Sequence, residues 1–189
     1  MKPLALTSMI LMLATSATAN EFRPAMESYL NAEIVTWLSD PVLIQAVKDQ
    51  NARTQKYGQG EIDELDRTWR AEVGNDDSQM IAGVLESTAA DFLRERLDSA
   101  GGMITEIFAM DARGLNVAAS SVTSDYWQGD EAKFQQTFPQ GADAVHFGDV
   151  EFDESSQTYQ AQVSTVIVDP ESNTPIGAIT IGLNADAFF

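Results

Sequence analysis

The chain has 189 residues, 44% of them hydrophobic, with 11 basic residues against 29 acidic, one histidine and no cysteine. A formal net charge of −18 repels nucleic acid and anionic lipid surfaces and keeps a solvated surface soluble. The lack of cysteine excludes disulfides, thiolate metal sites and a lipid-modified N-terminal cysteine, and one histidine is too few for an ordinary zinc site.

Lys2 precedes a mostly apolar run, Leu4 to Ala14, and then Ala17-Thr18-Ala19, an A-x-A cleavage pattern. The run falls short of the about 20 residues that cross a bilayer. Residues 1–19 are therefore expected to be a cleaved signal peptide, with the mature chain starting at Asn20. Export without cysteine fits a Gram-negative periplasm, and no second long apolar segment predicts stable membrane insertion after cleavage. The remaining 170 residues suit one domain with its own core.

Residues 20–102 read as helical. Met26, Leu30, Ile34 and Trp37 form one apolar stripe at helical spacing. Asp40 is placed to cap a second helix with Pro41 at its first position, and Val42, Ala46 and Val47 are expected inward. That helix should end near Tyr57-Gly58, and a third carries Ile62, Leu65 and Trp69. A fourth is predicted to run unbroken from Gln79 to Asp98, stopped by Gly101-Gly102.

Residues 103–189 read as strands. Ile104–Met110 and Leu115–Ser120 flank the turn Asp111-Ala112-Arg113-Gly114, in which Gly114 can take positive φ and Arg113 is expected to be solvated. A third strand lies within Val145–Phe152, a fourth spans Tyr159–Val168 and a fifth Ile176–Leu183. On the fourth, Tyr159, Ala161, Val163, Thr165 and Ile167 share one face. Gln160, Gln162 and Ser164 begin the other, which is polar enough to be wet or to face a ligand. Ser164 and Thr165 lie on opposite faces, so only one can enter a pocket.

The order of these elements resembles the Cache family of extracytoplasmic sensor domains, also called PDC domains and related to PAS folds. Four passages carry the resemblance: SDPVLIQAVKDQN (39–51), IDELDRTWRAEV (62–73), IFAMDARGLNVAASS followed by DYWQGDEAKF, and the closing pair VSTVIVDP and PIGAITIGL. It implies an α+β fold, with long N-terminal helices packed on a five-stranded antiparallel PAS-like sheet. It also implies a pocket between that sheet and the crossover 121–143, suited to a small metabolite such as an amino acid, an amine or a short carboxylate. Typical members are flanked by membrane helices and feed an output domain. This chain is expected to have neither, so the resemblance is to a free-standing periplasmic member that delivers its ligand to a membrane sensor or transporter, or buffers it. No cofactor is implied.

The crossover has a physical case of its own. Tyr126 and Trp127 offer broad apolar faces with polar tips. Gln128 donates and accepts, Asp125, Asp130 and Glu131 can receive an ammonium, Lys133 can hold a carboxylate, and Gly129 lets the backbone turn. With Ser164 on the fourth strand, these are the candidate ligand-binding residues. The competing account has the aromatics pin the crossover to the core while the charges face water, which leaves a ligand-free docking module.

Catalytic patterns are weak. A hydrolase triad would rest on His146 alone, without a G-x-S-x-G elbow, and a strand histidine is ordinarily a surface or packing residue. The alternations Asp149/Glu151/Asp153 and Asp169/Glu171/Asn173 lack the glycine and glutamate of a calcium loop. With 29 acids, some carboxylate pair is bound to occur, so a glycosidase pair carries no weight.

Overall fold

The structure, a computed structural model, describes residues 19–153 and 158–188. The expected leader, through residue 18, lies outside the described residues. Among these, no helix is long and apolar enough to cross a membrane.

Five helices come first: α1 (Ala19–Tyr29), α2 (Pro41–Thr54), α3 (Gln59–Glu72), α4 (Gln79–Leu85) and α5 (Thr88–Ser99). Strands β1 (Ile104–Asp111) and β2 (Asn116–Ala119) follow, then the short α6 (Ala132–Gln135), and then β3 (Val145–Asp153), β4 (Thr158–Asp169) and β5 (Thr174–Asn184). Every strand pairing is antiparallel, in the order β2-β1-β5-β4-β3. This is the α+β, five-stranded arrangement expected from the sequence.

Local signals set several boundaries. The Asp40 carboxylate accepts from Val42 N at 2.9 Å, and Pro41 opens α2. Gly101 and Gly102 both take positive φ after α5, and Gly114 does so in the β1–β2 turn. The predicted long helix is in fact two. Ser87 sits mid-run and its hydroxyl accepts from Ala90 N, restarting the helix as α5. The break lets the two halves serve different cores: Ile81 and Val84 join one cluster, and Ala89, Ala90 and Leu93 the other. The expected inward Val42 is exposed; the buried stripe of α2 is Leu43, Ile44, Val47, Gln50 and Thr54. Two polar members hid that stripe from an apolar count.

Side chains alternate across the sheet. One face carries Ile107, Ala109, Val163, Ile167, Ile179 and Ile181 against α1, α2 and α5. The opposite face carries Phe108, Met110 and Ala178 against Trp69 of α3, α4 and Phe134 of α6. The crossover between β2 and β3 lies on this second face.

Candidate functional site

The first half of the crossover is fastened rather than arched. Asn116 N donates to Tyr126 O at 2.9 Å and Gln128 N to Gly114 O at 2.8 Å, so residues 126–128 pair with the edge of the β1–β2 hairpin. The carboxylate of Asp66, buried on α3, accepts from both Tyr126 N and Trp127 N at 3.0 Å. Its other oxygen pairs with Arg70, whose Nε also reaches Asp125 at 2.8 Å.

The side chains follow the same logic. The Tyr126 ring stacks on Trp69 with centroids 5.5 Å apart, and Trp69 Nε1 donates to Thr123 O at 2.8 Å. Burial, and then the nearby Asp111 carboxylate, push the Tyr126 hydroxyl well above its ordinary pKa. Trp127 Nε1 donates to Arg113 O at 2.8 Å, and its indole lies where a Cβ on Gly129 would collide. Gln128 is buried and donates to Asp125 O at 2.9 Å. Arg113 was expected in solvent, but its Nη2 donates to Tyr57 O at 2.8 Å and it is half-buried. Below it, buried Asp111 accepts from Arg113 N, Leu115 N and Thr54 Oγ1 at 2.7–3.0 Å, and from Gln50 at 3.3 Å. Burial without a cation raises its pKa, and those hydrogen bonds oppose the rise.

The candidate residues therefore separate. Tyr126 belongs to the core cluster around Trp69. Trp127 and exposed Asp130 border a shallow cleft of about 350 Å³, with Asp63, Asp66, Arg67 and Arg70. Ser164 is fully buried and shares a 2.9 Å hydrogen bond with Thr180. It sits three strand positions from β2, roughly 14 Å at 4.8 Å per strand, so it and Tyr126 do not line one cradle. Of the crossover residues, Glu131 and Lys133 reach a second cavity.

That cavity is a groove of about 520 Å³ at the opposite end of the same sheet face. Glu131 and Lys133 form one wall, and His146, Gly148, Asp149 and Glu151 of β3 the other. Gln160 and Gln162 of β4 make the floor. This is the polar stretch that strand alternation had marked. A β3 irregularity between Phe147 and Val150 brings Asp149 to the groove, while Glu151 stands opposite Gln160. The floor is built: Gln160 Nε2 and Gln162 Nε2 both donate to Glu106 Oε1, at 2.8 and 2.9 Å, and Thr105 Oγ1 donates to Gln160 Oε1. Gly182 makes room beneath; a Cβ there would lie 2.5 Å from Thr105 Oγ1 and 2.6 Å from Gln160 Oε1.

The electrostatics of the groove are acidic. The Lys133 ammonium pairs with Glu131 at 3.0 Å and lies over the Phe108 ring, 5.3 Å from its centroid. Burial lowers the pKa of His146, Asp149 opposes that shift and Lys133 adds to it. His146, expected as a surface or packing residue, is thus part of a cavity wall, which only the β3–β4 register reveals. The lining supplies charge and hydrogen bonds, suited to holding a small polar molecule. Among the described residues no group of three or more carboxylates or histidines is arranged to hold a metal ion. Asp169, from one calcium-like alternation, is taken by Lys48 and Ser172.

No family model matches the sequence, and no curated protein matches it. Among solved structures, the chain is similar to the ligand-binding domain of the Campylobacter jejuni chemoreceptor Tlp3 in complex with L-valine. Identity is 13%, over 93% of this chain and 66% of that one, with a TM-score of 0.43. It is also similar to the sensor domain of the Vibrio cholerae histidine kinase DctB, at 12% identity over 91% of this chain and 58% of that one, TM-score 0.36. A third is the ligand-binding domain of the Pseudomonas fluorescens chemoreceptor CtaA in complex with L-serine, at 14% identity, covering 87% and 62%, TM-score 0.36. The chain spans less than two thirds of the length of each. All three are sensor or ligand-binding domains, the class the sequence resembled; at these scores they carry nothing about this chain's own ligand.

Proposed function

We propose that this chain is an exported small-molecule-binding domain of Cache type, whose ligand sits in the groove between α6 and the β3–β4 edge. One observation carries the reading: a cavity of about 520 Å³, within the range of small-ligand sites, stands on a floor already fixed by internal hydrogen bonds. A preorganised floor lowers the ordering cost of binding. The captured metabolite is then presented to a membrane sensor or transporter from the periplasmic side.

A thermal-shift screen of amino acids, amines and short carboxylates tests the reading. Hits should weaken at least tenfold in Gln162→Ala and hold in Trp127→Phe. Hits indifferent to Gln162→Ala and His146→Ala, or a blank screen, would overturn it. A ligand-free docking module is the second reading. It is favoured by Phe152 and Tyr159, which stand 49% and 54% exposed as an edge-to-face pair across β3 and β4. It predicts that Phe152→Ser abolishes co-purification with a membrane protein while the screen stays blank.

A further inference from the structure

Resting on the groove as the ligand site, we infer that its ligand is a small organic cation bearing one or two ammonium groups. Among the described residues, three carboxylates line the groove, Glu131, Asp149 and Glu151, against one ammonium, Lys133. That ammonium is already met by Glu131 at 3.0 Å and by the Phe108 ring. A carboxylate ligand would have to share that ammonium with Glu131, in a groove that also holds Asp149 and Glu151. His146 adds no countercharge at neutral pH, since burial holds its pKa below the ordinary value.

The hydrogen-bonding inventory agrees with the charge. The Gln162 amide gives one N–H to Glu106, which leaves its carbonyl oxygen as an acceptor and its second N–H as a donor for a ligand. Gln160 has its nitrogen on Glu106 and its oxygen on Thr105. The floor therefore offers an acceptor as well as a donor, and the β3 wall offers two carboxylates, which complement the N–H donors of a cation. Glu106 behind the glutamines adds negative potential, and the chain's net charge of −18 raises the local concentration of cations at low salt. Asp149 and Glu151 are both exposed, so they meet a ligand at the rim without the cost of burying an unpaired charge.

Titration calorimetry on the mature protein at low ionic strength, with 1,4-diaminobutane, succinate and serine as probes, decides the matter. The diamine is expected to bind, to weaken as sodium chloride is raised, and to lose at least tenfold in affinity in Asp149→Asn/Glu151→Gln. The control Asp63→Asn/Asp130→Asn, in the other cleft, should bind it as the wild type does. Diamine affinity unchanged in the rim variant overturns the inference, as does loss in the control alone. Succinate or serine binding through Gln162 without diamine binding also overturns it, while leaving the groove as a ligand site. No binding by any probe overturns both.

Discussion

At its β2 end, the outer face of the sheet is sealed: Trp69, Tyr126, Phe108, Met110 and Phe134 interlock under α3 and α4. At its β3 end the same face is open, and half-buried Gln162 and His146 line the groove beneath α6 with Gln160 buried in its floor. The crossover serves both ends, with Tyr126, Trp127, Asp125 and Asp130 at the first and Glu131 and Lys133 at the second. The difference teaches that a large aromatic with a polar tip is a poor marker of a pocket when a buried carboxylate claims its backbone, as Asp66 does for Tyr126 and Trp127. A polar run on a buried strand is a better marker, because nothing but a partner or a cavity accounts for it.

The strongest way to break this contrast is at the sealed end. Trp69→Ala should cost about 3–5 kcal/mol of stability in urea denaturation, from lost burial and the cavity left behind. A cost under about 1 kcal/mol would mean that end is not a core. Asp66→Ala comes next: two backbone N–H groups lose their acceptor, for about 2–3 kcal/mol. Asp66→Asn, which keeps an oxygen for them, should cost clearly less by the same measurement.

Smaller effects sharpen the open end. Gly182→Ala forces Thr105, Gln160 or Glu106 to shift. It should cost about 1–2 kcal/mol while weakening groove ligands, a binding loss out of proportion to its stability change. His146 gives a pH signature. Its folded pKa lies below the ordinary 6.5, so the unfolded chain binds more protons in that window and stability rises with pH. The contribution is present above about pH 6.5 and is lost as pH falls through the folded value. Denaturation midpoints across pH 4.5–7.5 should show this step in the wild type and not in His146→Gln. Smallest of all, Glu151→Gln should leave stability within about 0.5 kcal/mol, so any change it makes lies in binding alone.

Much of this fold was legible in sequence, and the reasons differ by element. Asp40-Pro41, Gly101-Gly102 and Gly114 act on their own backbone, so their meaning travels with them. The alternation of β4 separated Ala161, Val163 and Ile167 from Gln160, Gln162 and Ser164, because a pleated strand sends successive side chains to opposite faces. Ser87 was a readable cap, yet an apolar stripe running through it suggested one helix where two cores demanded two. Arg113 looked solvated because its acceptor, Tyr57 O, lies 56 residues away.

The sequence by itself determined the strand faces, the caps, the stops and the acidic character of the chain, since periodicity and local backbone chemistry are written residue by residue. Only the tertiary structure decided which polar groups share a cavity. Asp66 reaches the crossover across 60 residues, and the β3–β4 register sets His146 and Glu151 beside the glutamine floor. Those pairings depend on how separate elements dock, and docking is fixed by the summed packing of both cores rather than by any one stretch of chain.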